Sequence, residues 1–189
     1  MNKEFLNKRY KKEKRFILLG RVAVSLTIIF LVILLGSILL KGISGFYTTN
    51  IFLQTNLSQE IIDPQDKKNV EEIYKSSWRK IARNSIYDVL SAFNKSKNID
   101  KISRKDKRDF LKLFSRSSEF YIRDFTLKNL DSIGKEVKIS IPSSSLVDQF
   151  LKGKINIAVN ENDRPINDKQ VSWINFMVEN KMLEKKFNI

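Results

Sequence analysis

The 189-residue chain contains neither His nor Cys. That removes Ser-His and Cys-His nucleophilic catalysis, disulfides and the commonest metal ligands together. Few reactive candidates are left. Ser143, Ser144 and Ser145 stand in a row. A serine nucleophile here would need a Lys of depressed pKa as its base, which leaves a membrane-bound Ser-Lys hydrolase as a third reading of the chain. Helix capping accounts for the same serines more simply, because Ser145 and Asp148 have the spacing of a capping box. A phosphate-binding P-loop needs G-x-x-x-x-G-K followed by Ser or Thr. Gly134-Lys135 and Gly153-Lys154 lack the first glycine, with Asn129 and Asp148 in its place, and lack the final hydroxyl. Both glycines are therefore read as turn residues. Glu71-Glu72 and Asp106-Asp109 lie among Lys and Arg, as surface charges do, and support no metal site. The chain is read as a non-enzyme without cofactor or metal.

Binding is the better-supported chemistry. Lys101, Arg104, Lys105, Lys107, Arg108 and Lys112 form the main basic patch of the folded region. As a plain feature it is a solvated helix face. As a functional one it would meet anionic headgroups or an acidic partner. The formal net charge is +14. Residues 1–21 hold eight Lys and Arg against two Glu, so residues 22–189 keep a net +8, from 27 cations against 19 anions. The plain alternative reading of this excess is a coding bias toward Lys and Asn. Trp78, Trp173 and the many Phe residues fit a core at helical spacing rather than a base-stacking platform. No nucleic-acid partner is expected.

These residues must be positioned by a chain of uneven character. Residues 22–40, VAVSLTIIFLVILLGSILL, carry no charge, and 14 of the 19 are Val, Leu, Ile or Phe. At ~1.5 Å per residue they span about 28 Å, close to a bilayer's hydrocarbon thickness. Arg21 and Lys41 bracket the run, and Leu31 and Leu35 lie inside it. A cleaved signal peptide would have a shorter apolar region and a small-residue cleavage site, and none follows Leu40. The run is read as a transmembrane helix over 22–41 that contacts membrane lipid. The cations crowd its N-terminal side, while Lys41 is the only one between it and Gln65. The positive-inside rule then puts residues 1–21 in the cytoplasm and 42–189 outside, in the periplasm of a bacterium.

Beyond the anchor the expected class is α+β, with several helices and a small mixed or antiparallel sheet. Strands are expected at Ile51–Leu57, Glu136–Pro142 and Ile155–Val159 from alternating apolar residues. Apolar spacing predicts helices over 67–94, with Asp66 as N-cap, over about 104–127, and over 168–183. The second of these should bring Phe110, Leu113, Phe114, Phe120, Tyr121 and Phe125 together. In the last, Val171, Ile174 or Phe176, Val178 and Leu183 are expected inward. A short helix from Ser145 should stop at Gly153.

One set of residues carries a family resemblance. Arg9-Tyr10 and Glu13-Lys14-Arg15-Phe16 precede an apolar helix ending Leu35-Gly36-Ser37-Ile38 and Lys41-Gly42. Leu151-Lys152-Gly153, Gln170, Trp173-Ile174 and Phe187-Asn188 follow in order. The chain resembles the N-terminal region of PstA, a permease subunit of bacterial phosphate ABC transporters, in the alphaproteobacterial form with an extra periplasmic domain of unknown function. The resemblance implies inner-membrane phosphate import, with a second permease subunit, a cytoplasmic ATPase subunit and a periplasmic phosphate-binding protein as partners. In that family further transmembrane helices follow the Phe-Asn pair, so the chain is read as a fragment, a truncated gene or half of a split permease. One helix cannot enclose a polar path through lipid. The alternative is a stand-alone, single-pass anchored binding or sensor domain.

Overall fold

The structure, a computed structural model, describes residues 3–187. It divides into two units, a helical one through Phe46 and a folded domain from Tyr47.

The first unit is one helix, α1 (Lys3–Ile43), with a 3-10 turn at Ser44–Phe46. The helix does not begin at the apolar run. It extends through the basic segment, so residues 3–21, expected as a tail, are helical as well. Leu, Lys, Arg and Glu are all good helix formers, and no Pro interrupts them.

The second unit is α+β. Its sheet has three antiparallel strands in the order β2-β1-β3, formed by β1 (Tyr47–Asn56), β2 (Glu136–Pro142) and β3 (Leu183–Phe187). Thr49, Ile51, Leu53 and Thr55 of β1 are buried, and Ile51 and Leu53 face Ile141 and Ile139 across the β1–β2 ladder. The two-residue period of a strand puts Phe52 and Gln54 on the other face. There Lys138 lies 4.5 Å from the Phe52 ring, and Asn50 donates to Ser140 Oγ at 3.0 Å.

Between the strands run α2 (Gln59–Ile62), α3 (Val70–Tyr74), α4 (Trp78–Ser96), α5 (Arg104–Leu111), α6 (Ser118–Lys128), α7 (Ser145–Leu151) and α8 (Asp168–Glu179). The longest, α4, buries Ile81, Ala82, Ile86, Val89, Leu90 and Phe93 on one stripe. This stripe joins Phe110, Ile122, Val147, Trp173, Ile174 and Met177 in a single core with the inner face of the sheet.

Two expected helices are each divided in two, for different reasons. The 67–94 helix breaks at Ser76-Ser77. Ser76 Oγ donates to the Ile62 carbonyl, and the Trp78 indole donates to the Ile73 and Tyr74 carbonyls at 3.0 and 3.2 Å, which ends α3 and starts α4. Asp66 is not an N-cap. It and Lys68 hold left-handed backbone (φ 51° and 50°), while buried Asp63 accepts from the Lys67 and Lys68 amides and Asn69 caps α3. The 104–127 helix breaks because its middle joins the end of β2. Ser115 N–H donates to the Pro142 carbonyl, and Ser144 N–H to the Leu113 carbonyl. Phe110, Leu113 and Phe114 are buried, but Phe120 and Tyr121 are about half exposed.

Residues 155–159 are not a strand. Arg164, whose side chain is only 5% exposed, donates to the Ile157 carbonyl and pairs with Asp168, and so fixes this segment as a loop. The third strand is β3, where a helix end was expected. The helix stops at Glu179 because Lys181 turns left-handed (φ 53°). Within α8, Trp173, Ile174 and Met177 are inward, whereas Val178 is exposed.

Candidate functional site

The predicted anchor lies within α1. Within Arg9–Phe46 it is long and apolar enough to cross a membrane, and none of its apolar window is buried. Leu31 and Leu35 are half exposed, and Arg21 and Lys41 are exposed at the two ends of the run.

The predicted basic patch lies on α5 and its flanks, and all six residues are exposed. Its charge is partly answered in place. Asp109 pairs with Lys112 at 2.8 Å, and Lys107 lies 5.3 Å from the Tyr87 ring centroid. Asp106 completes a capping box with Ser103 and receives Lys169 of α8 at 2.6 Å. Burial alone would push the Asp106 carboxyl up, but the hydrogen bonds from Lys169 and Ser103 outweigh it and hold the group below its ordinary value. The patch is therefore also a structural seam between α5 and α8.

The serines form no nucleophile–base pair. Ser143 Oγ donates to the Ser144 carbonyl, and the Ser144 hydroxyl is buried without a hydrogen bond. The neighbouring Lys152 donates its ammonium to Asp148 Oδ2 and to the Tyr47 carbonyl, each at 2.6 Å. The Ser145–Asp148 capping box is not formed either: Ser144 is the N-cap of α7, and Asp148 is turned to β1.

Sequence reasoning missed a cluster of arginines. Two clefts, of about 660 and 290 Å³, share Arg79, Arg83 and Glu119 as a common wall. Arg123 adds to the larger and Arg116 to the smaller. Arg79 Nε and Nη2 donate to the two Glu119 carboxylate oxygens at 3.0 and 3.2 Å. That hydrogen bonding, followed by the charge attraction, raises the Arg79 pKa from its ordinary value. Arg123 lies 4.3 Å from the Tyr74 ring centroid and 5.1 Å from that of Phe120. Among the described residues, Arg83 and Arg116 make no ion pair. The available signal was the i,i+4 pair Arg79 and Arg83 on α4, but the other walls come from a helix that the sequence had merged with α5.

A family model described as a domain of unknown function (DUF3333) matches residues 3–161. No curated protein and no solved structure matches the chain. The match starts inside α1 and runs through α7, so it takes in both the helix and most of the folded domain. The chain belongs to the DUF3333 family.

Proposed function

We propose that the chain is the N-terminal portion of a PstA-type permease subunit, serving phosphate import across a bacterial inner membrane. In this reading α1 is a single membrane span with its basic end in the cytoplasm, and the domain from Tyr47 is a periplasmic interaction module. The observation that supports its membrane part is the family match running from an apolar, unburied helix into a folded domain. A disposable leader would not be expected to share one family with the domain that follows it. The asymmetry of charge about the 22–40 run supports the orientation. The transporter assignment rests on the resemblance of the helix ends and of Leu151-Lys152-Gly153, Gln170 and Trp173-Ile174.

No catalytic step is assigned to the domain. Lys152, at the end of the helix that follows the serine row, is held by Asp148, which occupies its ammonium. Purification of the tagged chain from native membranes tests the reading. A second permease subunit and an ATPase subunit should co-purify, and loss of the gene should lower phosphate uptake at limiting phosphate. Recovery of the chain alone, with uptake unchanged, would favour a stand-alone anchored domain.

A further inference from the structure

Basic residues in the folded domain are mostly Lys, yet its arginines are concentrated. From residue 47 onward there are 19 Lys and seven Arg. Four of those seven arginines, Arg79, Arg83, Arg116 and Arg123, line the two joined clefts, but only one lysine does, Lys80. A coding bias toward Lys does not produce that distribution. Arg differs from Lys in presenting a planar fork that matches a carboxylate with two parallel bonds.

The clefts already display this match. Glu119 sits in the Arg79 fork, and its side chain is only 15% exposed. Arg83 and Arg116 have no such partner among the described residues. The rim is aromatic: Tyr74 and Phe120 are half exposed and hold Arg123 between them. Exposed Tyr, Phe and Arg around a concave, partly desolvated site are the composition of a protein-binding hot spot. A bilayer surface, by contrast, attracts cations by number, with little demand for fork geometry.

We propose that these clefts dock an acidic peptide segment of a partner protein, its carboxylates received by Arg83 and Arg116 and its flanking side chains by Tyr74 and Phe120. The proposal rests on the reading of the domain as an interaction module, but not on the identity of the transporter.

The test uses the full chain in uncharged nanodiscs and fluorescent short peptides carrying paired Asp or Glu, with Asn/Gln versions as controls. Acidic peptides should bind and the amide versions should not. Arg83→Glu with Arg116→Glu should weaken binding roughly tenfold or more, and Arg83→Lys should restore only part of it, since charge returns without the fork. Lys101→Glu with Lys105→Glu makes the same charge change on α5 and its N-terminal flank and should leave binding within about twofold. Near-ultraviolet circular dichroism of each variant confirms that it is folded. Equal losses from the two double variants would mean general electrostatic attraction and overturn the proposal. So would absence of peptide binding, or binding only to vesicles of anionic lipid. Failure here with transporter subunits still co-purifying would leave the permease reading standing; the converse result would remove that reading and keep the docking site.

Discussion

Asp148 Oδ1 accepts two hydrogen bonds from Thr49, one from its backbone N–H and one from its hydroxyl, each at 3.1 Å. The residues are 99 positions apart, and the contact joins the start of β1 to α7. Its other oxygen holds Lys152, which in turn donates to the Tyr47 carbonyl. One carboxylate thus links the start of the folded domain to α7, beside the ladder that pairs the same residues with β3.

Replacing Asp148 with Ala should destabilise the domain by about 2–3 kcal/mol, since it strands a β1 amide and a buried hydroxyl. Thr49→Val removes only the hydroxyl bond and should cost about 1 kcal/mol. Urea denaturation of the detergent-solubilised chain measures both. Equal effects would mean that the backbone bond contributes nothing.

The domain does not end where the family match does. Residues 162–187 supply α8 and the edge strand β3, and Trp173 is 1% exposed against Phe93 and Phe110. A chain stopped after Glu161 should therefore fail to give a cooperative unfolding transition. Trp173→Ala in the full chain should cost about 3–5 kcal/mol. A sharp transition in the shortened chain would show that α8 and β3 are accessory.

Asp106 gives the fold an acid-sensitive point. Its folded-state pKa lies below the ordinary carboxylate value of about 3.9. Its contribution is complete above that value and is lost as pH falls through the depressed folded value. Asp106→Asn should lower stability near neutrality by about 1 kcal/mol, through the weakened cap and the lost Lys169 pair, and should flatten the acid limb of the stability–pH curve. Stability profiles of the two proteins across that range check this. Parallel acid limbs would remove Asp106 as a cause.

The anchor should resist one charge but not several. Arg at a helix centre costs roughly 3 kcal/mol on insertion scales. Leu31→Arg together with Leu35→Arg should move much of the chain out of the carbonate-resistant membrane fraction, whereas Leu31→Ala should not. Full retention of the double variant would mean that lipid contact at these positions does not hold the chain.

Particular residues show which parts of the fold were legible. The apolar run at 22–40 and the alternation of Val137, Ile139 and Ile141 are local signals, and α1 and β2 follow them. β3 reads LEKKF, whose lysines look like a helix surface, but exposed Lys is how an edge strand is kept from pairing further. The broken helices were invisible because their causes are distant: Ser76 reaches Ile62, and Ser115 reaches Pro142. Asp148 fits a local cap by spacing but is taken by Thr49. The α5 patch could be read because its cations fall within twelve residues, while the arginine clefts exist only once α4 and α6 are side by side.

The central claim is that α1 crosses the membrane once and puts the domain outside. The absence of Cys allows single thiols to be introduced without background. Lys11→Cys and Lys97→Cys, both at exposed positions, are each treated in intact spheroplasts with a membrane-impermeant maleimide. The account predicts that Cys at 97 labels at once and that Cys at 11 labels only after the membrane is opened. Labelling of position 11 in intact spheroplasts with position 97 protected, or release of the domain into the soluble fraction without α1, would contradict it.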